Sequence, residues 1–194
     1  MMSEARDRAL QEIAFCEQVL AKGGFNVLTE TLRDAPSITA WTHYPQPDVF
    51  DPQTGAQWFY HCHPADDPEG AIEHGHFHCF VRPLGADGPI HHLVAIGVDP
   101  YGKPVRLFTV NQWVVGDDWL DAEPTIGLLE RFDVHMPRPS YLVNRWLTAT
   151  TAAHEDAIAG LIRERDAVLA RHVAPAGTSI REDRELEVVS ELRL

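Results

Sequence analysis

The histidines of this sequence are concentrated in one short region. Seven of the eleven lie between positions 61 and 92, in the stretches HCH at 61–63, EHGHFHCF at 73–80 and HH at 91–92. Imidazole binds metal ions in its neutral form and exchanges protons near neutral pH. The region is therefore a candidate site for metal binding or for acid–base chemistry.

The first two stretches follow the alternation of a β-strand, in which successive side chains point to opposite faces. His61 and His63 share a face of one strand, and His74, His76 and His78 share a face of the next. Two hairpin registers are open: one places His61 opposite His76, and the other places His61 opposite His78. Either register gathers the imidazoles on one side, called here the histidine face, with opposed Cβ atoms about 5 Å apart.

A third predicted strand, at 91–98, gives the sheet its sidedness. One of its faces is apolar and is predicted to face the core, with Val94, Ile96 and Val98. Alternation then places His91 on the histidine face and His92 on the core side. Ala95 and Gly97 would form a floor of small residues beneath the imidazoles, as a pocket requires.

This pattern predicts a site for a divalent transition metal, zinc or iron, because imidazole is a ligand that both ions accept. The predicted ligands are His61, His63, His76 and His78. A second group of candidates comprises His74, His91 and Glu73. Glu73 would supply the carboxylate of a site with two histidines and one carboxylate. It lies on the opposite face of a regular strand, so it reaches the histidines only from a bulge or a strand end.

Other interpretations of the same histidines stay open. In the metal interpretation the ion would serve an enzyme that acts on a small polar substrate, by activating water or polarising a carbonyl. In a second interpretation the histidines form a hydrogen-bonded row in a non-catalytic structural or partner-binding domain. In a third, one histidine is the general base of a metal-free enzyme. Cys62 and Cys79 fall on the core face, where small apolar fillers are expected.

Composition excludes several classes of protein. The formal net charge of −13, without a basic patch, argues against binding to nucleic acids. No apolar run approaches the roughly 18 residues that a membrane span needs. The three cysteines are widely spaced and include no CxxC pair, so neither a disulfide framework nor a zinc ribbon is expected. These features predict a soluble, cytoplasmic protein that binds neither nucleic acids nor membranes. They are compatible with a small-molecule ligand and leave the oligomeric state open.

The elements that must position the histidines can be read coarsely. A length of 194 residues predicts a single domain. Its segments are helical at 1–35, a loop at 36–56, a β-sheet core at 57–114, helical at 120–172, and a tail at 173–194. The tail is an edge strand, a docking segment or a disordered segment. The predicted fold class is α+β, with a small antiparallel meander of about four strands flanked by N-terminal and C-terminal helices.

Four motifs resemble those of an uncharacterised bacterial family, a domain of unknown function. They are EHGHFHCF (Glu73–Phe80), HLVAI (His92–Ile96), LFTVNQWV (Leu107–Val114) and the DDW that ends at Trp119. The resemblance extends from Tyr60 to Trp119. It implies no activity, so the chemistry of the site is inferred from the histidines alone.

Overall fold

The computed structural model describes residues 2–63 and 72–194, without the side chains of residues 2 and 3. Its α-helices are α1 (Met2–Lys22), α2 (Val27–Thr31), α3 (Gln112–Val115), α4 (Ala122–Ile126), α5 (Tyr141–Ala153) and α6 (Glu155–Arg171). Its strands are β1 (Tyr44–Phe50), β2 (Ala56–Cys62), β3 (Gly75–Val81), β4 (His91–Val98), β5 (Pro104–Val110) and β6 (Val188–Arg193). Within this part of the chain, no helix has the length and apolarity needed to cross a bilayer.

The strands form one open antiparallel sheet in the order β1-β2-β3-β4-β5-β6. Each strand therefore lies beside its neighbour in the sequence, as in a meander. The predicted α+β class is confirmed, with six strands over the described residues in place of about four. Residues 64–71, which connect β2 and β3 and would hold the loop of the predicted hairpin, lie outside the described residues.

Strand β1 lies inside the segment 36–56, for which the composition predicts a loop. Pro45 and Pro47 favour the loop, because proline has no N–H to donate to a sheet. β1 is an edge strand, however, and prolines are tolerated there. Its pairing with β2 is irregular between Tyr44 and Val49, and both prolines fall in that stretch.

Strand β6 decides among the three alternatives for the tail, because it is an edge strand paired with β5. Ser190 lies opposite Thr109, and their hydroxyl oxygens are 2.7 Å apart. The Ser190 hydroxyl also donates to the carbonyl oxygen of Leu161 in α6, at 2.8 Å. The tail thus closes one edge of the sheet and ties it to a helix.

One face of the sheet carries the main hydrophobic core, which packs against α1, α5 and α6. Its largest fully buried side chains include Trp58, Phe77, Ile96 and Trp146. Each such side chain contributes about 2–3 kcal/mol by leaving water. Cys62 and Cys79 belong to this core, as the alternation predicts. Helices α1, α5 and α6 thus occupy one side of the sheet, and His61, His76 and His78 lie on the other.

Candidate metal centre

Strands β2 and β3 bring the histidines together in the first of the two predicted registers. His61 lies opposite His76, and Phe59 lies opposite His78. The ring centroids of His61 and His76 are 4.5 Å apart, and that of His78 is 5.1 Å from His61 and 4.8 Å from His76. The prediction that these imidazoles share one face is confirmed.

His63 follows the end of β2, and its ring centroid lies 4.9 Å from that of His76. One ligand nitrogen from each of His61, His63 and His76 lies within 4.8 Å of the other two. Nitrogens that bind one tetrahedral ion at about 2.0–2.1 Å are about 3.4 Å apart, so each pair of these nitrogens would have to approach by about 1.4 Å at most. These three residues are called here the histidine triad, and His78 lies beside them.

Glu73 comes just before β3 and turns onto the histidine face. Its Oε1 lies 2.8 Å from Nδ1 of His76, and both side chains are buried. Arg106 donates from Nε to Oε2 at 2.8 Å and from Nη2 to Oε1 at 3.2 Å. An ionised carboxylate only accepts, so the hydrogen-bond network assigns the proton to Nδ1 of His76. Nε2 of His76 then presents a lone pair, as a metal ligand must.

Gly97 makes room for this carboxylate. Gly97 lies opposite His76 in β4, and Arg106 lies opposite Gly97 in β5. A Cβ atom added at Gly97 would lie 2.2 Å from Oε2 and 2.6 Å from Cδ of Glu73. This part of the small-residue floor predicted from the sequence therefore holds a side chain and is not open space.

Strand β4 contains a β-bulge next to the histidines. Cys79 lies opposite Val94, whereas the next residue of β3, Phe80, lies opposite His92. Leu93 is therefore an extra residue of β4, and both it and Val94 are buried in the main core. One inserted residue inverts the alternation for the rest of the strand.

The bulge exchanges the positions predicted for His91 and His92. His92 lies on the histidine face, where its Nε2 is 3.1 Å from Nδ1 of His78. His91 lies on the other face, where its Nδ1 donates to the backbone carbonyl of Asp118. The prediction that His91 joins the histidine face and His92 the core is wrong, because it supposes a regular strand.

His74 also departs from the predicted face. It precedes β3, which begins at Gly75, so the alternation of the strand does not control its direction. Its Nδ1 lies 2.6 Å from the hydroxyl oxygen of Tyr60, a side chain of the main core. His74 is therefore directed away from the histidine triad.

Burial lowers the pKa of three of the clustered imidazoles, those of His61, His76 and His78, and so favours their neutral forms. It lowers the pKa of His61 from 6.5 to about 2, and repulsion from a charged His76 acts in the same direction. Burial also lowers the pKa of His76, although the hydrogen bond to Glu73 opposes that effect. The pKa of His78 falls well below its usual value, chiefly through burial. Neutral imidazole is the form that binds metals.

Two buried ring nitrogens, Nε2 of His61 and Nε2 of His78, have no hydrogen-bond partner in the part of the chain that the structure describes. Buried polar atoms are nearly always paired, and leaving one unpaired costs about 1–3 kcal/mol. If Nδ1 of His78 donates to His92, its Nε2 holds a lone pair. A bound cation would satisfy such lone pairs.

Two aromatic side chains, Trp41 and His43, lie beside the histidines although the sequence did not indicate them as site residues. The ring of Trp41 is 4.6 Å from that of His63, and the ring of His43 is 6.4 Å from that of His61. Both residues come just before β1, outside the regular elements, so no periodic pattern predicted their direction. Loops that flank a rigid scaffold often carry functional side chains. The position of Trp41 and His43 in such a loop is the one sequence feature that could have indicated them.

Comparison with known proteins and protein families assigns the chain to a family. No curated protein and no solved structure matches the chain. One family model matches residues 7–194. The resemblance to an uncharacterised family is thereby confirmed, and the chain belongs to the family described as Domain of unknown function (DUF6969).

Proposed function

We propose that this protein binds a divalent transition metal, zinc or iron, and is a metal-dependent enzyme that acts on a small polar substrate. The observation that carries the proposal is the histidine triad, whose three ligand nitrogens lie within 4.8 Å of one another. His78 is the fourth proposed ligand, because its ring lies 4.8 Å from that of His76 and its buried Nε2 has no partner among the described residues.

The donor types favour a transition metal over magnesium or calcium. Magnesium and calcium prefer oxygen ligands, whereas imidazole suits zinc, iron and their neighbours. The carboxylate beside the histidine triad, Glu73, is already engaged by His76 and by Arg106. The proposed coordination is therefore made by nitrogen.

The number of ligands supports a reaction rather than a purely structural role. Three histidines leave zinc one position of its tetrahedron for water or substrate. Four histidines leave two positions on a six-coordinate iron. A metal ion with an open position lowers the pKa of bound water and polarises a substrate carbonyl, which is the chemistry proposed here.

The residues around the triad would hold it ready for the ion. Glu73 fixes the ring of His76 through Nδ1, and Arg106 fixes Glu73 in turn. His92 contacts Nδ1 of His78 in a similar position. Such outer hydrogen bonds orient ligands and raise metal affinity.

The test is elemental analysis of the full chain, expressed without an affinity tag. We expect about one zinc or iron ion per chain in the wild type. His61→Ala and His76→Ala should lose that ion, whereas His135→Ala, an exposed histidine outside the cluster, should keep it. Circular dichroism of each variant reports whether the fold survives.

Two results would overturn the proposal. One is a wild type that contains no metal and takes up neither zinc nor iron in a titration. The other is full metal content in His61→Ala and His76→Ala. Collapse of the fold in both variants, with no metal in the wild type, would support a non-catalytic domain whose histidines only organise the sheet.

A metal-free enzyme is the second candidate, and one contact favours it. The pairing of His76 with Glu73 resembles the oriented imidazole of a general base. Activity that persists after dialysis against a strong chelator would support this candidate over the metal enzyme. Loss of activity in the chelator, with recovery on added zinc or iron, would exclude it.

A further inference from the structure

The chain just before β1 places two aromatic rings at the outer end of the histidine cluster. The ring of Trp41 lies 4.6 Å from His63 and 5.6 Å, edge-on, from His61. The ring of His43 lies 6.4 Å from His61 and stacks on Phe59 at 3.5 Å, with 6° between the planes. Both rings are therefore close to the proposed metal ligands without belonging to the histidine triad.

These two rings reach solvent, whereas two of the three triad ligands do not. Trp41 is 56% exposed and the side chain of His43 is 42% exposed, whereas His61 and His76 are buried. Within the described part of the chain, a molecule that approaches the cluster from this side contacts Trp41 and His43. Exposed aromatic and imidazole groups next to a buried site are suited to contact a ligand.

Trp41 is held in place at a cost to the backbone. Its φ of 65° is in the left-handed region, which is uncommon for residues other than glycine and costs about 1 kcal/mol or more. Its N–H donates to the carbonyl oxygen of Cys62 at 3.0 Å, which fixes the loop to the end of β2. The strained backbone of Trp41 is not offset by burial of its side chain, because the indole stays largely exposed. The position of the indole therefore points to contact with a ligand.

His43 is oriented by a chain of hydrogen bonds whose direction is determined at its far end. Arg82 only donates, and its Nε donates to Oε1 of Gln57 at 2.8 Å. The amide Nε2 of Gln57 therefore faces Asp48 and donates to its Oδ2 at 3.2 Å. The other oxygen, Oδ1, lies 3.0 Å from Nδ1 of His43. Since Asp48 accepts, Nδ1 of His43 donates, and its Nε2 is left as an acceptor.

We propose that Trp41 and His43 are the substrate-contacting residues of the metal centre. The substrate class is a small molecule that binds the metal through oxygen, donates an O–H or N–H to Nε2 of His43, and rests a planar group on the Trp41 indole. This inference rests on the proposed metal site. It adds the side from which the substrate enters and the chemistry that the substrate must have.

The experiment uses the full chain loaded with Co(II), whose absorption spectrum reports ligands at open positions, and two hydroxamates as probes. Acetohydroxamate and benzohydroxamate both offer metal-binding oxygens and an N–H donor, but benzohydroxamate alone carries a planar ring. We expect wild type to bind benzohydroxamate about tenfold more tightly, because stacking on an aromatic side chain is worth a ratio of that order. Trp41→Ala should remove the preference.

The role of His43 is tested by two variants. His43→Phe keeps a ring on Phe59 but removes the acceptor, and should weaken both hydroxamates about tenfold, the usual worth of one hydrogen bond. Asp48→Asn should do the same with the imidazole intact. The amide of Gln57 would still donate to the side-chain oxygen of the new asparagine, so the NH₂ group of that asparagine would face Nδ1 of His43. Nδ1 would then accept, and the imidazole proton would move to Nε2. Co(II) affinity should stay unchanged in all three variants.

Tyr101→Ala and His135→Phe are the matched controls, since both alter exposed rings outside the cluster and should leave every affinity unchanged. A wild type that binds no Co(II) would overturn the metal site itself. A wild type that binds Co(II) but neither hydroxamate would overturn only the substrate contacts. Hydroxamate affinities equal to wild type in the Trp41 and His43 variants would also overturn the substrate contacts. Loss of Co(II) from those variants would overturn them as well.

Discussion

Nδ1 of His76 lies 2.8 Å from Oε1 of Glu73, and both side chains are buried on the histidine face. Arg106 contacts both carboxylate oxygens, so Glu73 cannot rotate away without breaking a buried ion pair. His76 is thereby fixed in one tautomer and one orientation within the protein itself. The proposed ligand is thus preorganised, which is a property that mutation can test.

Glu73→Gln should weaken metal binding without removing a ligand. We expect zinc affinity to fall by about 10- to 100-fold, as for other outer-shell changes. The free energy of unfolding should fall by about 3 kcal/mol, because the buried pair with Arg106 is broken. Competition with a chromophoric chelator and urea denaturation measure the two effects. Glu123→Gln, which alters an exposed pair with Arg163, is the control, and unchanged zinc affinity in Glu73→Gln would contradict the orienting role.

Gly97→Ala should act on the same carboxylate from a different strand. The new methyl group would lie 2.2 Å from Oε2 of Glu73, so the carboxylate must move away from His76. We expect lower zinc affinity and lower stability in this variant. Gly160→Ala is a matched control, because nothing lies within 4 Å of its added Cβ and alanine stabilises a helix by about 0.5–1 kcal/mol. Equal zinc affinity in both variants would show that the contact with Glu73 has no influence.

The metal-free protein should lose stability in acid. Burial lowers the pKa of His61 to about 2 and that of His92 to about 3, from an ordinary 6.5. Below pH 6.5 the unfolded chain takes up protons that the folded chain does not, so stability falls as the pH falls toward 3. Each such histidine contributes up to about 1.4 kcal/mol per pH unit. Urea denaturation of chelator-treated protein between pH 7 and pH 4.5 measures the slope. A flat profile would argue against buried neutral imidazoles.

Asn144→Ala should destabilise the fold while sparing the metal. Oδ1 of Asn144 accepts from the indole N–H of Trp58 at 3.0 Å, and Nδ2 donates to the carbonyl oxygens of Met136 and Arg138. Removing the amide leaves these buried groups unpaired, and we expect a loss of about 3 kcal/mol. Gln11→Ala, exposed on α1, is the control. Metal content per folded chain should match wild type, and its loss would mean that core and site are not independent.

The shared face of the histidines could be predicted from sequence because the period of a strand is two, whereas the choice between the two registers could not. His61 and His76 each lie in a run of alternating residues. A shift of the strand pairing by two residues leaves their rings on the same side of the sheet. The core side of the sheet followed from the same rule. This part of the prediction needed no knowledge of distant contacts.

The remaining features depend on single residues that break the rule. Leu93 adds one position to β4 and exchanges His91 with His92, and no local signal in an apolar run marks such a bulge. Glu73 reaches His76 because Gly97, a residue far along the chain, leaves space for it. Tertiary contacts of this kind are absent from a one-dimensional pattern.

The order of strands has a consequence for how the chain folds. The histidine triad spans residues 61–76, on adjacent strands of one hairpin, whereas β6 joins the sheet only after α3, α4, α5 and α6 have intervened. Segments close in sequence meet earlier than distant ones because their loop-closure entropy is smaller. We therefore expect the three imidazoles to converge in a partly folded chain, where a captured ion would act as a nucleus for the remaining strands.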